Sequence, residues 1–399
     1  MPPTLAQDRL VRKEVALGVI REIIPPTQHI GLQFCPWLEV QSDDVIFDYA
    51  KGLTDGLAPA RAEDAESELA QKDDNFVGQG RAALIDWALK DRYSASDVTR
   101  YREFLRLAET ARDTNAFPLT IGSMLEDWAG KLARDQMRRR RKLDNRLEWM
   151  IMTSMQGGGM SYNDGKIKWT IDYARPAAQS STGSDNNSAI IAGLPPAYTS
   201  GNQIPTTASS TMWSFTTADP IKNIQAVQQY MYDTYGVRIT RAIASRKILN
   251  SILTSDRFAA RSGLIGSAQT TVDPKYVIDG WGPVAAQQIV ELQTGLTFIE
   301  YDAVYRTRPI GSNTVTNNRF TLDNTLIFLP DEGDVAEFDD TQIGFARMLT
   351  SPHPEGLWQP GFYEWERETV DPWGYDVGTG VKAFPVFGHM ELTFVMQVL

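Results

Sequence analysis

The chain has 399 residues, 42% of them hydrophobic and 10% aromatic, and its 50 acids against 39 bases give a formal net charge of −11. That is apolar surface enough for two or three packed units, on a chain whose overall charge repels phosphate backbones. The single cysteine, Cys35, excludes an intrachain disulfide and a thiolate metal cluster, and suits a reducing compartment.

The N-terminal "MPPTLAQDRLVRKEVALGVIREII" carries charges throughout, so it is neither a signal peptide nor a membrane span. No window approaches the roughly 18 uncharged apolar residues of a span, and a soluble cytosolic product is expected. Nothing marks a cleavage site, and loss of a large propeptide is not expected. Leu5, Leu10, Val11, Val15, Val19 and Ile20 recur at helical spacing up to Pro25-Pro26. An extended arm should follow to about Asp44. Residues 39–74 then hold eleven acids against three bases. Segment 45–80 starts like a strand, but its Gly/Pro/Asp-rich middle has too few apolar residues for a core, which predicts a surface loop or hairpin. "RAALIDWALKDRY" brings the chain back to the body.

Ser94 to Asp97 offer N-cap residues for a helix to about Arg112. A longer helix should start near Thr120. Leu125, Trp128, Leu132, Leu143, Leu147, Met150 and Ile151 give its apolar period, and Gly157-Gly158-Gly159 gives its end. At 1.5 Å per residue it would span roughly 50 Å. "KIKWTIDYA" (166–174) alternates as a strand should. Residues 176–218 contain one charged residue, Asp185, and predict an extended connection with short strands. From Asp219 the texture becomes α/β. A helix is capped by Asp219 with Pro220 in its first turn, and strands at "RITRAIAS", "LTFIEYDAVYR" and "TLIFLP" alternate with helices to about residue 365. "AFPVFGHMELTFVMQVL" closes the chain as an apolar strand that must be paired in a sheet.

No catalytic residue, cofactor site or metal-ligand set is predicted. His29, His353 and His389 have no partners at ligand spacing. "GQGRAA" at Gly78 fits a dinucleotide fingerprint formally, but it follows an acidic stretch and reads as a loop end. "DPWGYDVGTG" (371–380) lacks the alternating ligands of a calcium loop and reads as a turn between strands. The pair Asp339-Asp340 is one of many that chance supplies among 50 acids. Trp358, Phe362, Tyr363 and Trp365 fit packing or an interface better than a sugar platform.

The strongest local feature is "RDQMRRRRKLDNR". Residues 131–146 hold eight bases against two acids. Helical neighbours step about 100° apart, so Arg138 to Lys142 encircle the helix, whereas a nucleic-acid helix gathers its bases on one face. A girdle suits carboxylates arriving from several directions. A solvated segment and a nucleic-acid contact are the alternatives.

Several of these stretches resemble the major capsid proteins of tailed phages, particularly the lambda-type group with the Hong Kong 97-type fold. "RRRRKLDNRLEWMIMTSMQGG" with "IKWTIDY" is similar to the end of that group's spine helix and the strand after it. "MWSFTTADPIKNIQ" is similar to the entry to its axial domain, "TGLTFIEYDAVY" and "NTLIFLPD" to the axial strands, and "ERETVDP" to the return before the closing strands. The resemblance implies an α+β chain with an N-terminal arm (1–44) and an extended loop (45–93). It further implies a peripheral domain with spine helix (94–218), an axial α/β domain (219–365) and a return to the peripheral domain (366–399).

The function implied is a non-enzymatic subunit that assembles with itself, as pentamers and hexamers, into an icosahedral virion shell in the host cytoplasm. Scaffold, portal and decoration proteins are the implied partners. DNA would be enclosed without sequence-specific binding, and no membrane is involved. Arg134, Arg138, Arg139, Arg140, Arg141, Lys142 and Arg146 are then expected to meet carboxylates of a neighbouring subunit. Reversing Arg139 and Arg140 should block assembly and spare the monomer. A tail-tube or portal protein, and more distantly a carbohydrate-active hydrolase, are the competing readings.

Overall fold

The computed structural model describes residues 13–51, 76–100, 103, 106, 119–163, 165, 168–181, 187–201, 203–206, 211–253, 255, 258, 283–308, 313–338 and 343–399. The chain forms two compact units. The first comprises Met1–Val45, Ala82–Trp149 and Met348–Pro385, and the second Ile46–Arg81, Met150–Arg347 and Val386–Leu399.

The first unit is built on a five-stranded sheet. Its order is Trp37–Glu39, Ala346–Thr350, Trp373–Phe387, Phe362–Val370, and Asp86–Ser94 pairs with the other side of Trp373–Phe387. The 15-residue Trp373–Phe387 strand is almost wholly buried, as a strand flanked on both sides should be. Only the start of "DPWGYDVGTG" is therefore a turn. From Trp373 on it is the central strand, and its glycines have a packing reason. Tyr363 lies opposite Gly380 and Trp365 opposite Gly378, and a Cβ on Gly380 would fall 2.3 Å from the Tyr363 ring. Helix Lys13–Glu22 turns Ala16, Leu17 and Ile20 inward, and it ends ahead of Pro25-Pro26 as its sequence requires. The first eight residues of the predicted 5–24 helix lie outside the described residues.

The long helix is Leu119–Gly157, 39 residues, or about 58 Å at the standard rise. Gly158, at φ +71°, terminates it. Residues 95–100 begin the predicted preceding helix, most of which lies outside the described residues. The predicted loop or hairpin appears as the paired strands Asp44–Lys51 and Phe76–Ala83, with 52–75 outside the described residues. "GQGRAA" is thus part of a strand rather than a loop end.

The second unit holds a four-stranded sheet ordered Phe394–Gln397, Thr325–Pro330, Ile239–Ala244, Thr297–Glu300. The last pair is parallel, joined by a crossover that includes helices Arg246–Leu253 and Pro283–Thr294. Helix Pro220–Tyr235 begins where its sequence says. Asp219 accepts a hydrogen bond from the Lys222 amide, Pro220 is the first residue, and Gly236 at φ +71° follows the end. Trp213, Ile224, Val227, Ile248, Phe328, Phe394 and Met396 form the core.

Two expectations change here. The closing stretch is divided, since Phe394–Gln397 pairs with Thr325–Phe328 rather than continuing the Trp373–Phe387 strand. Its apolar side chains complete the α/β core, so residues 386–399 join the second unit. The uncharged stretch 176–218 folds, among the described residues, as the short helices Ala177–Gln179, Ser188–Gly193 and Pro196–Thr199. It is anchored by Ile190, Leu194, Ile204 and Trp213, and among its described residues the only β pairing is a single bridge from Ser180 to Val395.

In this unit Arg175 caps the end of the long helix. It donates to the Met155 carbonyl (2.7 Å), the Gln156 carbonyl (2.6 Å) and the Ser180 hydroxyl (2.9 Å). A cation at a helix C-terminus satisfies orphan carbonyls and the negative end of the dipole. Burial lowers the Arg175 pKa to about 10, partly offset by Asp172, which leaves the guanidinium charged. Arg175→Ala should cost about 2–4 kcal/mol, since it strands buried acceptors, and denaturant unfolding of the subunit should read that loss.

Candidate functional site: the charged face of the long helix

The buried positions on this stretch of helix are Gln136, Arg139, Arg140, Leu143, Asp144, Leu147 and Glu148. Their spacing of three and four residues marks one inward face, and five of the seven are polar. The helix thus organises the first unit through hydrogen bonds as much as through apolar contact.

Arg139 is the centre. Its side chain is 4% exposed. It donates from Nη2 to Glu364 (3.0 Å), from Nη1 to Asp91 (2.7 Å) and from Nε to the Thr379 hydroxyl (2.9 Å). Those three partners sit on three different strands of the sheet. A planar fork with fixed donor directions can hold three separated acceptors, which an ammonium on a flexible stem does poorly. Gln136 extends the network to Glu364 (2.5 Å) and to the Ala16 carbonyl (3.1 Å) of the first helix. Arg140 donates to Asp144 (2.9 Å) and to the Ile20 carbonyl (2.5 Å), and its guanidinium carbon lies 3.3 Å from the centre of the Phe362 ring. One turn further, Glu148 accepts from the Ile30 and Gly31 amides at 3.0–3.1 Å.

Burial sets the protonation energetics. It pushes the Glu364 and Asp144 carboxyls up, against the pull of Arg139 and Arg140 respectively. Burial likewise lowers Arg140, while Asp91 and Glu364 outweigh it at Arg139 and raise that group. Tyr93, which donates to Asp135 (3.1 Å), is pushed up to about 12 by burial and by that neighbouring charge. Nearby, Asp376 accepts from Arg92 (2.8 Å) and Lys90 (2.7 Å), which hold it down at about 2.

The seven predicted contact residues therefore divide. Arg139 and Arg140 are committed to carboxylates of their own subunit. Arg146 lies between the rings of Trp87 and Trp149, at 4.9 and 5.1 Å. Arg134, Arg138, Arg141 and Lys142 are exposed, on one helix face by their spacing of four, three and one. Among the described residues only Arg138 of these four has a carboxylate, Asp135 at 3.4 Å. The encircling run is real, but its inward half is part of the fold. Gln136, Glu148, Asp91, Glu364 and Thr379 were not singled out by sequence. Only the polar i, i+4 series 136-140-144-148, unusual on a buried face, could have signalled them.

His29 adjoins this network, hydrogen-bonded to Asn145 of the long helix and with its pKa lowered by burial. His353 stacks on Tyr363 at 4.0 Å, and His389 faces Glu391 at 3.2 Å. Among the described residues no group of three or more His, Cys, Asp or Glu could hold a metal ion, and no helix is long and apolar enough to cross a membrane. Asp339-Asp340 lies outside the described residues.

Residues 25–193 match the family model described as phage major capsid protein E, a span that contains the whole arginine face. A prophage protein of Escherichia coli CFT073, described as its capsid protein, shares the fold. Its TM-score is 0.51 at 11% identity, over 97% of each chain. The chain is thus similar to phage capsid proteins over part of its sequence and in its fold. A phage-related protein of Bordetella bronchiseptica RB50 aligns over 96% of each chain at 14% identity, with a TM-score of 0.45. No curated protein matches the chain in sequence. The α+β capsid fold implied by the resemblance is the fold observed, shared with that prophage protein.

Two consequences of this buried network can be measured. Arg139→Glu would bring a third carboxylate against Asp91 and Glu364, and it should cost at least about 3–5 kcal/mol in thermal unfolding. Arg141→Glu on the exposed face should stay within about 0.5 kcal/mol of wild type. This replaces the expectation that reversal at Arg139 and Arg140 spares the monomer. Secondly, the folded-state pKa of Asp376 is depressed, so its contribution is full above the ordinary carboxylate pKa of about 4 and is lost as pH falls towards 2. Asp376→Asn should be less stable than wild type at neutral pH, and the gap should close across that acid window in pH-dependent unfolding.

Proposed function

We propose that this capsid protein is the shell subunit of a tailed double-stranded DNA phage, assembling in the host cytoplasm as pentamers and hexamers of an icosahedral particle that encloses the genome. The observation that carries this is the capsid-family match across 25–193 on a chain that folds as a capsid protein. Scaffold, portal and decoration proteins are proposed to join it, and no catalytic step is assigned to it. A net charge of −11 suits an enclosure that must release packed DNA, since an acidic surface repels phosphate. The proposed roles are an arm for 1–44, an intersubunit loop centred on 52–75, a peripheral body around the long helix, and an axial body for the α/β unit.

Within that reading, the outward cations Arg134, Arg138, Arg141 and Lys142 are the intersubunit contact, and carboxylates of a neighbouring copy are their partners. Segment 52–75 offers seven acids against two bases, the complementary charge. Arg139 and Arg140 support the contact only by holding the helix in place.

The test is electron microscopy and sedimentation of the wild-type chain beside Arg138→Glu/Arg141→Glu, expressed with its neighbouring genes. Closed shells or free pentamers and hexamers are expected from wild type, and folded subunits without shells from the variant. Tubes, twelve-fold rings or a stable monomer from wild type would overturn the shell reading. Normal shells from the variant would overturn the contact.

A further inference from the structure

His353 holds the turn 353–361 through both its backbone and its ring. Its carbonyl accepts from the Gly356 amide (2.9 Å) and the Trp358 amide (3.1 Å), and its Nδ1 accepts from the Glu355 amide at 3.2 Å. The turn needs that support. Leu357 and Trp358 sit at φ +59° and +57°, a left-handed conformation that is costly for bulky residues and persists only where neighbours impose it. Arg21 adds a further tie, donating to the Gln359 side chain and, at 3.4 Å, to the Phe362 carbonyl.

The amide at Nδ1 fixes the state of the ring. A ring nitrogen that accepts a hydrogen bond carries no proton, so this imidazole is neutral, with its one proton on Nε2. The ring lies flat on Tyr363, 4.0 Å away and 10° from parallel, and Nε2 faces Asp86 at 3.8 Å. That separation is beyond a hydrogen bond, and the same carboxylate accepts from the Tyr363 hydroxyl. The other nearby acids are already engaged by cations. Glu355 meets Arg367 at 3.0 Å, and Asp43, which the histidine's charge also reaches, meets Lys382 at 2.5 Å. Asp86 is therefore the charge that a protonated ring would feel most. The imidazole is 21% exposed, so protons from solvent reach it.

We infer that His353 is a proton-operated latch on this turn, capping it when neutral and releasing the cap when protonated. A second proton must go to Nδ1, the remaining lone pair, where it meets the Glu355 N–H. Two donors cannot share one hydrogen bond. The ring or the amide then turns away, and the cap is lost while the imidazolium gains attraction to Asp86. Histidine is the side chain whose charge ordinarily changes between about pH 5 and 8, so the switch is set for mild acid. Its effect is a local opening of 353–361, with the flanking strands Ala346–Thr350 and Phe362–Val370 still paired in their sheet. The latch lies wholly within one subunit and is independent of the shell reading.

Hydrogen exchange of the full chain tests it, read by mass spectrometry on peptides covering 353–361 and corrected for the intrinsic pH dependence of exchange. Protection of the turn should fall about fivefold between about pH 7.5 and 5.5, the loss of one side-chain cap. His353→Asn, whose side-chain oxygen accepts at every pH, should keep the turn protected across that range. Asp86→Asn can still accept from Tyr363 but removes the negative charge, so the opening should move to a pH lower by about half a unit. Wild-type protection that does not change with pH would overturn the latch, as would a fall in His353→Asn equal to that of wild type. An opening that keeps its wild-type pH in Asp86→Asn would overturn it too, because the imidazolium would then not be the charge that opens the turn.

Discussion

The first unit depends on one guanidinium kept out of water. Arg139 ties Asp91, Glu364 and Thr379 together, and through them the hairpin strands Phe362–Val370 and Trp373–Phe387 and the distant strand Asp86–Ser94. A buried charge is costly unless it is paired and hydrogen-bonded. The arrangement meets that condition, which also makes it intolerant of partial loss. Gln136, Arg140 and Glu148 extend the same principle along the helix to backbone groups of the N-terminal segment. Apolar packing alone tolerates sliding of a helix over a sheet, whereas a set of directed hydrogen bonds admits one register.

The arginine run thereby does two kinds of work at adjacent positions. Its inward members specify how the subunit is put together. Its outward members add positive charge to a surface of an otherwise acidic protein, at almost no cost to stability because exposed charges stay hydrated. Under the proposed shell function, that separation would be useful. The contacts that form late can be tuned without disturbing the contacts that fold the chain.

The two units solve the burial problem differently. The second is a conventional α/β core, with a parallel crossover, a capped helix and a closing strand that contributes Phe394 and Met396. Several of its buried polar groups are locally satisfied, as with Arg175 on the helix carbonyls and Trp213 donating to Asn223 at 2.8 Å. The first keeps charged groups within its interior and relies on close backbone approach, with aromatic rings laid over Gly378 and Gly380.

The local elements were legible in the sequence because their causes are local. The long helix, its glycine stop, the Asp219-Pro220 start and the alternating strands each follow from residues within a turn or two of one another. What lay beyond reach depended on partners outside each local segment. Consecutive helix positions point in different directions, so five cations in a row cannot reveal which face is buried; that was decided by where Asp91, Glu364 and Thr379 stand on the sheet. For the same reason the glycine-rich run after Pro372 reads as a turn until Tyr363 and Trp365 are seen lying over it. Likewise the final strand's sheet is chosen by Thr325–Pro330 and not by its own alternation. Sequence determined which segments are helix or strand and that their charges are segregated. Tertiary structure decided which charges are structural and which remain on the surface, because burial is a property of the assembled neighbours.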